Sequence, residues 1–411
     1  MEVKASSWYT VAYMNSRLVG FLCIFFLLFS LLPTGYEIIN RGKLRPERSF
    51  ELVHNFPTDY NFYLSRIRQG IEGRTSVLEQ YTGEPHEGSY IHVFYLLLGW
   101  VGRWVRVPWE RAGDVYHVAR VVFGLTLLVL IAQFCKKQKF SILVFLLAIT
   151  ASTWPKLVFY NGGWRFGGFM PWWSVMDSLQ RITFIPHLLA GQSLILAIIL
   201  MFTKGGSWVF VGLLGFLLGI IFPPGLLFVY VVLGILFLLD RKRFMPLVVF
   251  FFLSVPALIY LQLMTSFYPW KRLAEFDIIK PLPFDYLEYI KAVGPILPVG
   301  LVGLVVALLR REKTMVVSAA WVIAWLVLLF AFKFIPQQSP LRFSEMVPHV
   351  PLAVLTGYLF YKINSLLLPA ILIAVGFGVM VSSFWWQRDF VDHKMSAAYP
   401  LVPTGSYVMY P

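Results

Sequence analysis

The sequence predicts an all-α fold: a polytopic transmembrane helical bundle with about eleven membrane spans. Of its 411 residues, 58% are hydrophobic and only 14% are charged, whereas soluble proteins carry roughly 25% charged residues. Apolar runs of about 18 residues or more recur along the whole chain, close to the length that a helix needs to cross a bilayer. Lysines and arginines cluster at the ends of alternate runs, as the positive-inside rule describes for cytoplasmic loops.

The basic clusters decide which apolar runs are predicted to cross the membrane. If the short run 91–101 spanned, Lys136, Lys137 and Lys139 would face outward, so we predict that this run lies in the membrane interface. The N-terminus is then cytoplasmic and the C-terminus external. The predicted spans are residues 18–32, 115–134, 140–153, 186–202, 208–222, 225–239, 244–264, 290–309, 316–332, 347–361 and 366–384.

No soluble linker and no internal repeat divides the chain, so we predict a single transmembrane domain over residues 1–411. Its first external loop, about residues 33–114, is predicted to hold two juxtamembrane helices. Residues from about 385 to 411 are predicted to form an external tail. The aromatic and apolar end of this tail indicates either a truncated chain or a tail that packs back on the external face. We expect the protein in the plasma membrane of a prokaryote.

The formal net charge of +14 indicates contact with anionic lipid headgroups, because the basic residues flank apolar runs and form no separate basic domain. We therefore expect membrane lipids, and no nucleic acid, as partners. Cys23 and Cys135 lie in or beside apolar runs and are predicted to fill the core rather than form a disulfide. The sequence contains no metal-ligand spacing, nucleotide loop or hydrolase motif, so we predict no cofactor.

Asp59 is the first candidate for chemistry, because ionisable groups in loops next to a membrane usually have a function. It precedes a run in which Tyr60, Tyr63 and Ile67 recur at helical spacing, which predicts a short amphipathic helix with Arg66 off its apolar stripe. Two interpretations remain open. Asp59 either caps this helix through hydrogen bonds to backbone N–H groups, or it acts as a general base towards a substrate on the external face.

Four further candidates for substrate binding lie in the first and second external loops. Glu87 precedes the interfacial run and either contacts substrate or is simply solvated. Asp177 and Arg181 are four residues apart, so they either form a surface ion pair or line a site in a loop rich in tryptophan and glycine. His187 follows a proline at the predicted membrane edge, where a structural role is the simpler interpretation.

Arg342 lies in a late external loop together with Glu345. A guanidinium group recognises phosphate through two parallel hydrogen bonds, which makes Arg342 a candidate for holding a lipid phosphate at headgroup depth. The alternatives are that Arg342 extends its charge to the membrane surface or pairs with Glu345.

The order of these features resembles the GT-C class of polytopic glycosyltransferases, which includes protein O-mannosyltransferases and lipid A aminoarabinose transferases. Asp59 stands where that class keeps the acid of its first loop, and Asp177 lies in the second external loop, where further acids occur. The chain departs from the mannosyltransferases at two points. Tyr60 follows Asp59 where they have a second acid, and residues 84–87 read Glu-Pro-His-Glu where they have a His-Pro-Pro motif.

The resemblance implies transfer of a sugar from a polyprenyl-phosphate donor, drawn from the bilayer, to an unknown acceptor on the external face. Asp59 would then be the base, and the donor phosphate would lie near Arg342 or Arg181. Dependence on a divalent metal varies within the class, and one isolated acid does not indicate it. Two other functions stay open: a transporter or flippase of lipid-linked saccharides, and a non-catalytic accessory membrane subunit in which Asp59 is only a cap.

Overall fold

The computed structural model describes residues 15–44, 50–53, 59–138, 140–239, 241, 244–279, 284–335 and 339–396. Within these residues the chain folds into sixteen α-helices, several short 3₁₀ turns and one β-hairpin. The prediction of an all-α fold is confirmed, and the hairpin is a small addition that the sequence analysis did not include.

The helices follow the order of the predicted apolar runs. The first eight are α1 (Ser16–Ser30), α2 (Leu32–Asn40), α3 (Tyr60–Glu72), α4 (Val93–Trp104), α5 (Ala112–Cys135), α6 (Ser141–Thr150), α7 (Pro186–Lys204) and α8 (Trp208–Ile221). The strands β1 (Lys156–Tyr160) and β2 (Gly163–Gly167) come between α6 and α7 in the chain. The other eight are α9 (Pro223–Leu239), α10 (Phe244–Met264), α11 (Lys271–Ile279), α12 (Tyr286–Val293), α13 (Ile296–Leu309), α14 (Val316–Ala331), α15 (His349–Lys362) and α16 (Leu367–Ser396).

Among the described residues, five to seven candidate membrane spans are found, so the eleven predicted spans are not confirmed. By length and composition, five qualify in the described residues: Trp109–Cys135, Pro186–Lys204, Phe244–Met264, Lys313–Phe334 and Leu367–Ser396. The pairs α1–α2 and α12–α13 each qualify together, although they bend by 44° and 83° at a short break, which gives up to seven candidates. The four remaining predicted spans fall on α6, α8, α9 and α15, which have 10, 14, 17 and 14 residues.

Two predicted boundaries differ from the ends of the helices. The first loop was predicted to start at residue 33, but α2 continues to Asn40. Pro33 lies in the first turn of α2, where its missing N–H leaves no hydrogen bond unmade. The external tail was predicted from residue 385, but α16 continues to Ser396. Residues 397–411 of that predicted tail lie outside the described residues.

The β-hairpin is fixed to the C-terminal half of α16. Its strands are joined by Asn161 and Gly162, whose φ angles are 48° and 77°. A two-residue turn with two positive φ angles favours Asn-Gly, because both positions adopt the left-handed conformation. The Phe166 N–H donates to Ser382 Oγ at 3.1 Å, and Trp386 Nε1 donates to the Phe166 carbonyl at 2.9 Å.

Helices α3 and α4 approach each other closely through two glycines. A Cβ atom placed on Gly70 would lie 2.8 Å from the Cα of Gly99, and one on Gly99 would lie 2.7 Å from the Cα of Gly70. Both distances are shorter than Cβ contacts in real proteins. The backbones of the two helices are therefore in direct contact, and neither glycine position has room for a side chain.

Arg66 lies off the apolar stripe of α3, yet it is completely buried. Its Nη2 pairs with Glu79 Oε2 at 2.5 Å, and its guanidinium carbon lies 3.3 Å from the centroid of the Phe62 ring. Gln69, also buried, exchanges two hydrogen bonds with the backbone of Leu78. The segment after α3 thus folds back over the helix and covers a polar face that its sequence pattern would leave in water.

The glycine contact gives a test of the α3–α4 packing. Gly70→Ala is expected to lower the free energy of unfolding by about 1–3 kcal/mol, because overpacking must separate the two backbones. Gly20→Ala is the matched control, since Gly20 is also a helix-interior glycine and an added Cβ meets nothing within 4 Å. Thermal unfolding of both variants in detergent, followed by tryptophan fluorescence, measures the difference. Equal midpoints for the two variants would contradict the close packing.

Candidate functional site

Asp59 lies at the N-terminal end of α3 but its side chain makes no capping hydrogen bond. The Tyr63 hydroxyl, one turn along the helix, donates to Asp59 Oδ2 at 3.3 Å. The carboxylate is half-buried and is directed towards a tyrosine rather than towards the backbone of its own helix. Capping therefore does not account for the side-chain contacts of Asp59. The residues just before it, 54–58, lie outside the described part of the chain.

A wall of aromatic rings adjoins this carboxylate. The Tyr63 and Tyr95 rings stack with centroids 4.4 Å apart, and Tyr116 stacks on the Tyr63 ring at 6.4 Å. The Tyr95 hydroxyl shares a hydrogen bond of 2.7 Å with His187 Nδ1 at the start of α7. Helices α3, α4, α5 and α7 thus contribute side chains to a single cluster. We call Asp59, Tyr63, Tyr95, His187 and Arg342 the loop site.

Arg342 brings a positive charge to the loop site from a distant part of the chain. It lies on the 3₁₀ turn Pro340–Glu345, which immediately precedes α15 in the fold. Its charge acts on Asp59, Tyr63 and His187. Asp59 and His187 therefore both lie within electrostatic reach of Arg342, although more than a hundred positions separate each of the three from the next.

Burial controls the protonation of the loop site. It raises the pKa of Asp59, while the Tyr63 hydrogen bond and the charge of Arg342 lower it in part. Burial, and next the charge of Asp59, raises the pKa of Tyr63 well above its ordinary value, so Tyr63 keeps its proton. His92, just before α4, is neutral at physiological pH because burial and then the charge of Arg66 lower its pKa to about 3.

A second polar layer lies next to Asp59 around Tyr60, which is on the same face of α3 as Tyr63. The Tyr60 hydroxyl lies 3.4 Å from His117 Nε2, and Arg120 Nη1 lies 3.0 Å from His117 Nδ1. Arg120 Nε donates to the Thr183 carbonyl at 2.8 Å, and its buried Nη2 has no hydrogen-bond partner in the described chain. This layer links α3 and α5 to the turn that precedes α7.

Asp177 and Arg181 do not join the loop site, and no ion pair forms between their described side chains. Asp177 Oδ1 accepts from the N–H groups of Leu179 and Gln180 at 2.8 and 3.1 Å, and its Oδ2 accepts from Ser383. Arg181 donates to carbonyls at the end of α6, including that of Ile149 at 2.8 Å. Both side chains therefore organise the loop and close a helix end, which is a structural role.

Glu87 also lies apart from the loop site. Its side chain is exposed, and its carbonyl oxygen accepts a hydrogen bond from Trp270 Nε1 at 3.4 Å. In the same loop, His86 Nε2 accepts from the Glu79 N–H at 2.9 Å, which helps to fold this loop over α3. The predicted contact of Glu87 with substrate stays a prediction.

Glu345 is a buried acid on the same 3₁₀ turn as Arg342, three residues after it. Neither of its carboxyl oxygens has a hydrogen-bond partner in the described chain, and no ion pair joins it to Arg342. Burial raises the pKa of Glu345 to about 8, against the opposing charge of Arg342. A neutral carboxyl group is the form that this environment favours.

The sequence analysis missed the tyrosines of the loop site. Tyr63 was assigned only to an apolar stripe, and Tyr95 and Tyr116 were read as parts of hydrophobic segments. The signal that could have found them is chemical: tyrosine carries a hydroxyl that needs a partner when it is buried. Tyr63, one turn after the candidate acid Asp59, carries this signal in the sequence, whereas the contacts of Tyr95 and Tyr116 with Tyr63 come from the fold.

No protein-family model matches the chain, and no curated protein is similar to it. Among the described residues, no group of three or more histidine, cysteine, aspartate or glutamate side chains could hold a metal ion.

Glu345 gives a test based on pH. Its folded-state pKa of about 8 exceeds the roughly 4.3 of an unfolded glutamate, so its contribution to stability is complete below that lower value and is lost as pH rises through about 8. Glu345→Gln is expected to lose less stability than the wild type between pH 5 and 9. Thermal unfolding across this range measures it, with the exposed Glu110→Gln as control. Parallel curves for the wild type and Glu345→Gln would show that Glu345 is ionised in the fold.

Proposed function

We propose that the protein is a multi-pass membrane glycosyltransferase that moves a sugar from a polyprenyl-phosphate donor to an acceptor hydroxyl. The observation that carries this proposal is the convergence of Asp59, His187 and Arg342 beside an aromatic wall. A carboxylate base and a cation for phosphate are two groups that such a transfer needs.

Asp59 serves as the general base in this proposal. The acceptor hydroxyl gives its proton to the Asp59 carboxylate, and the acceptor oxygen forms a bond to the anomeric carbon of the donor sugar. The bond from that carbon to the donor phosphate oxygen breaks, and its electron pair stays on the phosphate. Tyr63 keeps its proton and holds the carboxylate through the 3.3 Å hydrogen bond.

Arg342 takes the leaving phosphate. A guanidinium group can donate two parallel hydrogen bonds to phosphate oxygens and stabilises the negative charge that grows on them. The buried rings of Tyr63 and Tyr95, stacked 4.4 Å apart, hold α3 against α4 and so fix the position of Asp59. His187, hydrogen-bonded to Tyr95, connects this pair of rings to α7.

The proposed donor is a lipid, so the proposal requires that the protein lies in a membrane. In the proposed topology all eleven predicted runs contribute to the membrane domain, the N-terminus is cytoplasmic and the loop site faces the external side. The long apolar helices and the basic clusters at the ends of alternate runs support this arrangement. The lipid tail of the donor would stay in the bilayer while its phosphate reaches Arg342 at headgroup depth.

Asp59→Asn tests the catalytic role directly. The variant keeps the size of the side chain but cannot accept a proton, so we expect transfer to fall by about 10²–10⁴-fold while the fold is retained. The measurement is turnover of the polyprenyl-phosphate sugar pool, by mass spectrometry, in membranes that express each variant and supply the acceptor.

Asp114→Asn is the matched control for this experiment, because Asp114 is an exposed aspartate at the start of α5. Full turnover by both variants would refute the role of Asp59 as general base and would favour a non-catalytic accessory subunit. Movement of the lipid-linked saccharide across the membrane, with no sugar transferred, would favour a transporter.

Arg342→Lys tests the phosphate contact. Lysine keeps the charge but cannot form two parallel hydrogen bonds, so we expect a higher KM for the polyprenyl-phosphate donor. The control is Arg272→Lys, an exposed arginine on α11. Donor titrations of both variants in proteoliposomes measure the effect. An unchanged KM in Arg342→Lys would rule out a phosphate contact through two parallel hydrogen bonds.

A further inference from the structure

A concave surface, separate from the loop site, lies between the β-hairpin and the C-terminal half of α16. This open surface has a volume of about 740 Å³, within the range of about 300–1,000 Å³ that is usual for ligand sites. We call this surface the hairpin groove. It is lined by Tyr160 and Asn161 of the hairpin and by Trp386, Arg388, Asp389 and Asp392 of α16.

The aromatic part of the hairpin groove is rigidly held. The rings of Tyr160 and Trp386 lie 5.0 Å apart and are tilted by 43°. Trp386 Nε1 donates to the Phe166 carbonyl at 2.9 Å, and the guanidinium carbon of Arg165 lies 5.3 Å from the centroid of each ring. A preformed pair of aromatic faces is suited to a flat apolar surface, such as the C–H face of a sugar ring.

The polar part of the hairpin groove is close to electrically neutral. Asp389 pairs with both Arg165 and Arg388, and the Tyr36 hydroxyl donates to Asp392 Oδ1 at 2.8 Å. The two carboxylates are therefore accompanied by two guanidinium groups, both of which pair with Asp389. Together with the exposed amide of Asn161, they offer donors and acceptors for hydroxyl groups but little net charge to attract an ion.

The hairpin groove is connected to the loop site through residues 50–53. Lys394, two residues after Asp392, donates to the carbonyls of Glu51 and Val53 at 2.6 and 2.9 Å. The Glu51 side chain in turn hydrogen-bonds Tyr60, which follows Asp59 in the chain. One short segment thus contacts both the end of the hairpin groove and the helix that carries the proposed base.

We propose that the hairpin groove binds a neutral oligosaccharide, which is the acceptor of the proposed transfer. This assignment of the acceptor rests on the proposed function, whereas saccharide binding in the groove does not need catalysis. The aromatic faces would stack on sugar rings, and Asp389, Asp392 and Asn161 would bind hydroxyl groups.

Binding of maltotetraose and chitotetraose, both neutral, tests the proposal, with tetragalacturonate as the charged comparison. We expect at least one neutral probe to bind the purified full chain in nanodiscs, by calorimetry, and tetragalacturonate to bind more weakly. Trp386→Leu is expected to weaken that binding at least tenfold, since stacking on the indole is lost. Trp208→Leu, an exposed tryptophan on α8, is the matched control.

A second variant distinguishes a loss of saccharide binding from misfolding. Asn161→Gly removes the amide yet suits the positive φ of that position, so it should fold normally and weaken binding several-fold. If neither neutral probe binds, if tetragalacturonate binds as tightly, or if Trp386→Leu and Asn161→Gly bind like the wild type, the proposal is overturned. Asp59→Asn should bind the probe normally, so loss of its transfer activity and loss of groove binding are separate results.

Discussion

The contact between Gly70 and Gly99 sets the geometry on which the loop site depends. Because no side chain separates the two backbones, α3 and α4 come close enough for the Tyr63 ring to stack on Tyr95 at 4.4 Å. The Tyr95 hydroxyl then joins this pair of helices to α7. Asp59 lies one turn before Tyr63 and takes its position from the same arrangement. A polar site therefore rests on a contact that contains no polar side chain.

The positions of the helices could be predicted because apolar length and periodicity are local properties. The bends between helices could not be predicted in this way. Gly294, between α12 and α13, has a φ of 82°, and a Cβ there would overlap the carbonyl of Ser152. That break depends on a neighbour about 140 positions away, which no local pattern contains. The hairpin is different, because Asn161-Gly162 is a local signal that the sequence analysis overlooked in a loop rich in tryptophan and glycine.

The candidate site was predictable in part, through the chemistry of single residues. Asp59 and Arg342 were found because an acid and an arginine in loops beside apolar runs are uncommon and usually have a purpose. Their proximity could not be predicted from positions almost three hundred apart. The contacts of Asp177 and Arg181 could not be predicted from their spacing either. Their spacing indicated a pair, but the end of α6 offers Arg181 backbone carbonyls, and a helix end needs such donors.

In the proposed reaction, the electrostatics of the loop site would connect donor binding to the strength of Asp59 as a base. Burial raises the pKa of Asp59, and the charge of Arg342 lowers it. In the proposed reaction a donor phosphate on Arg342 would offset that positive charge, so the pKa of Asp59 would rise when the donor is bound. A carboxylate with a higher pKa holds a proton more strongly and is therefore a better base. Tyr63 does not take the proton of the acceptor. Its pKa lies well above the ordinary value, so its hydroxyl already carries a proton. The arginine that holds the donor would thereby strengthen the base only when there is a sugar to transfer.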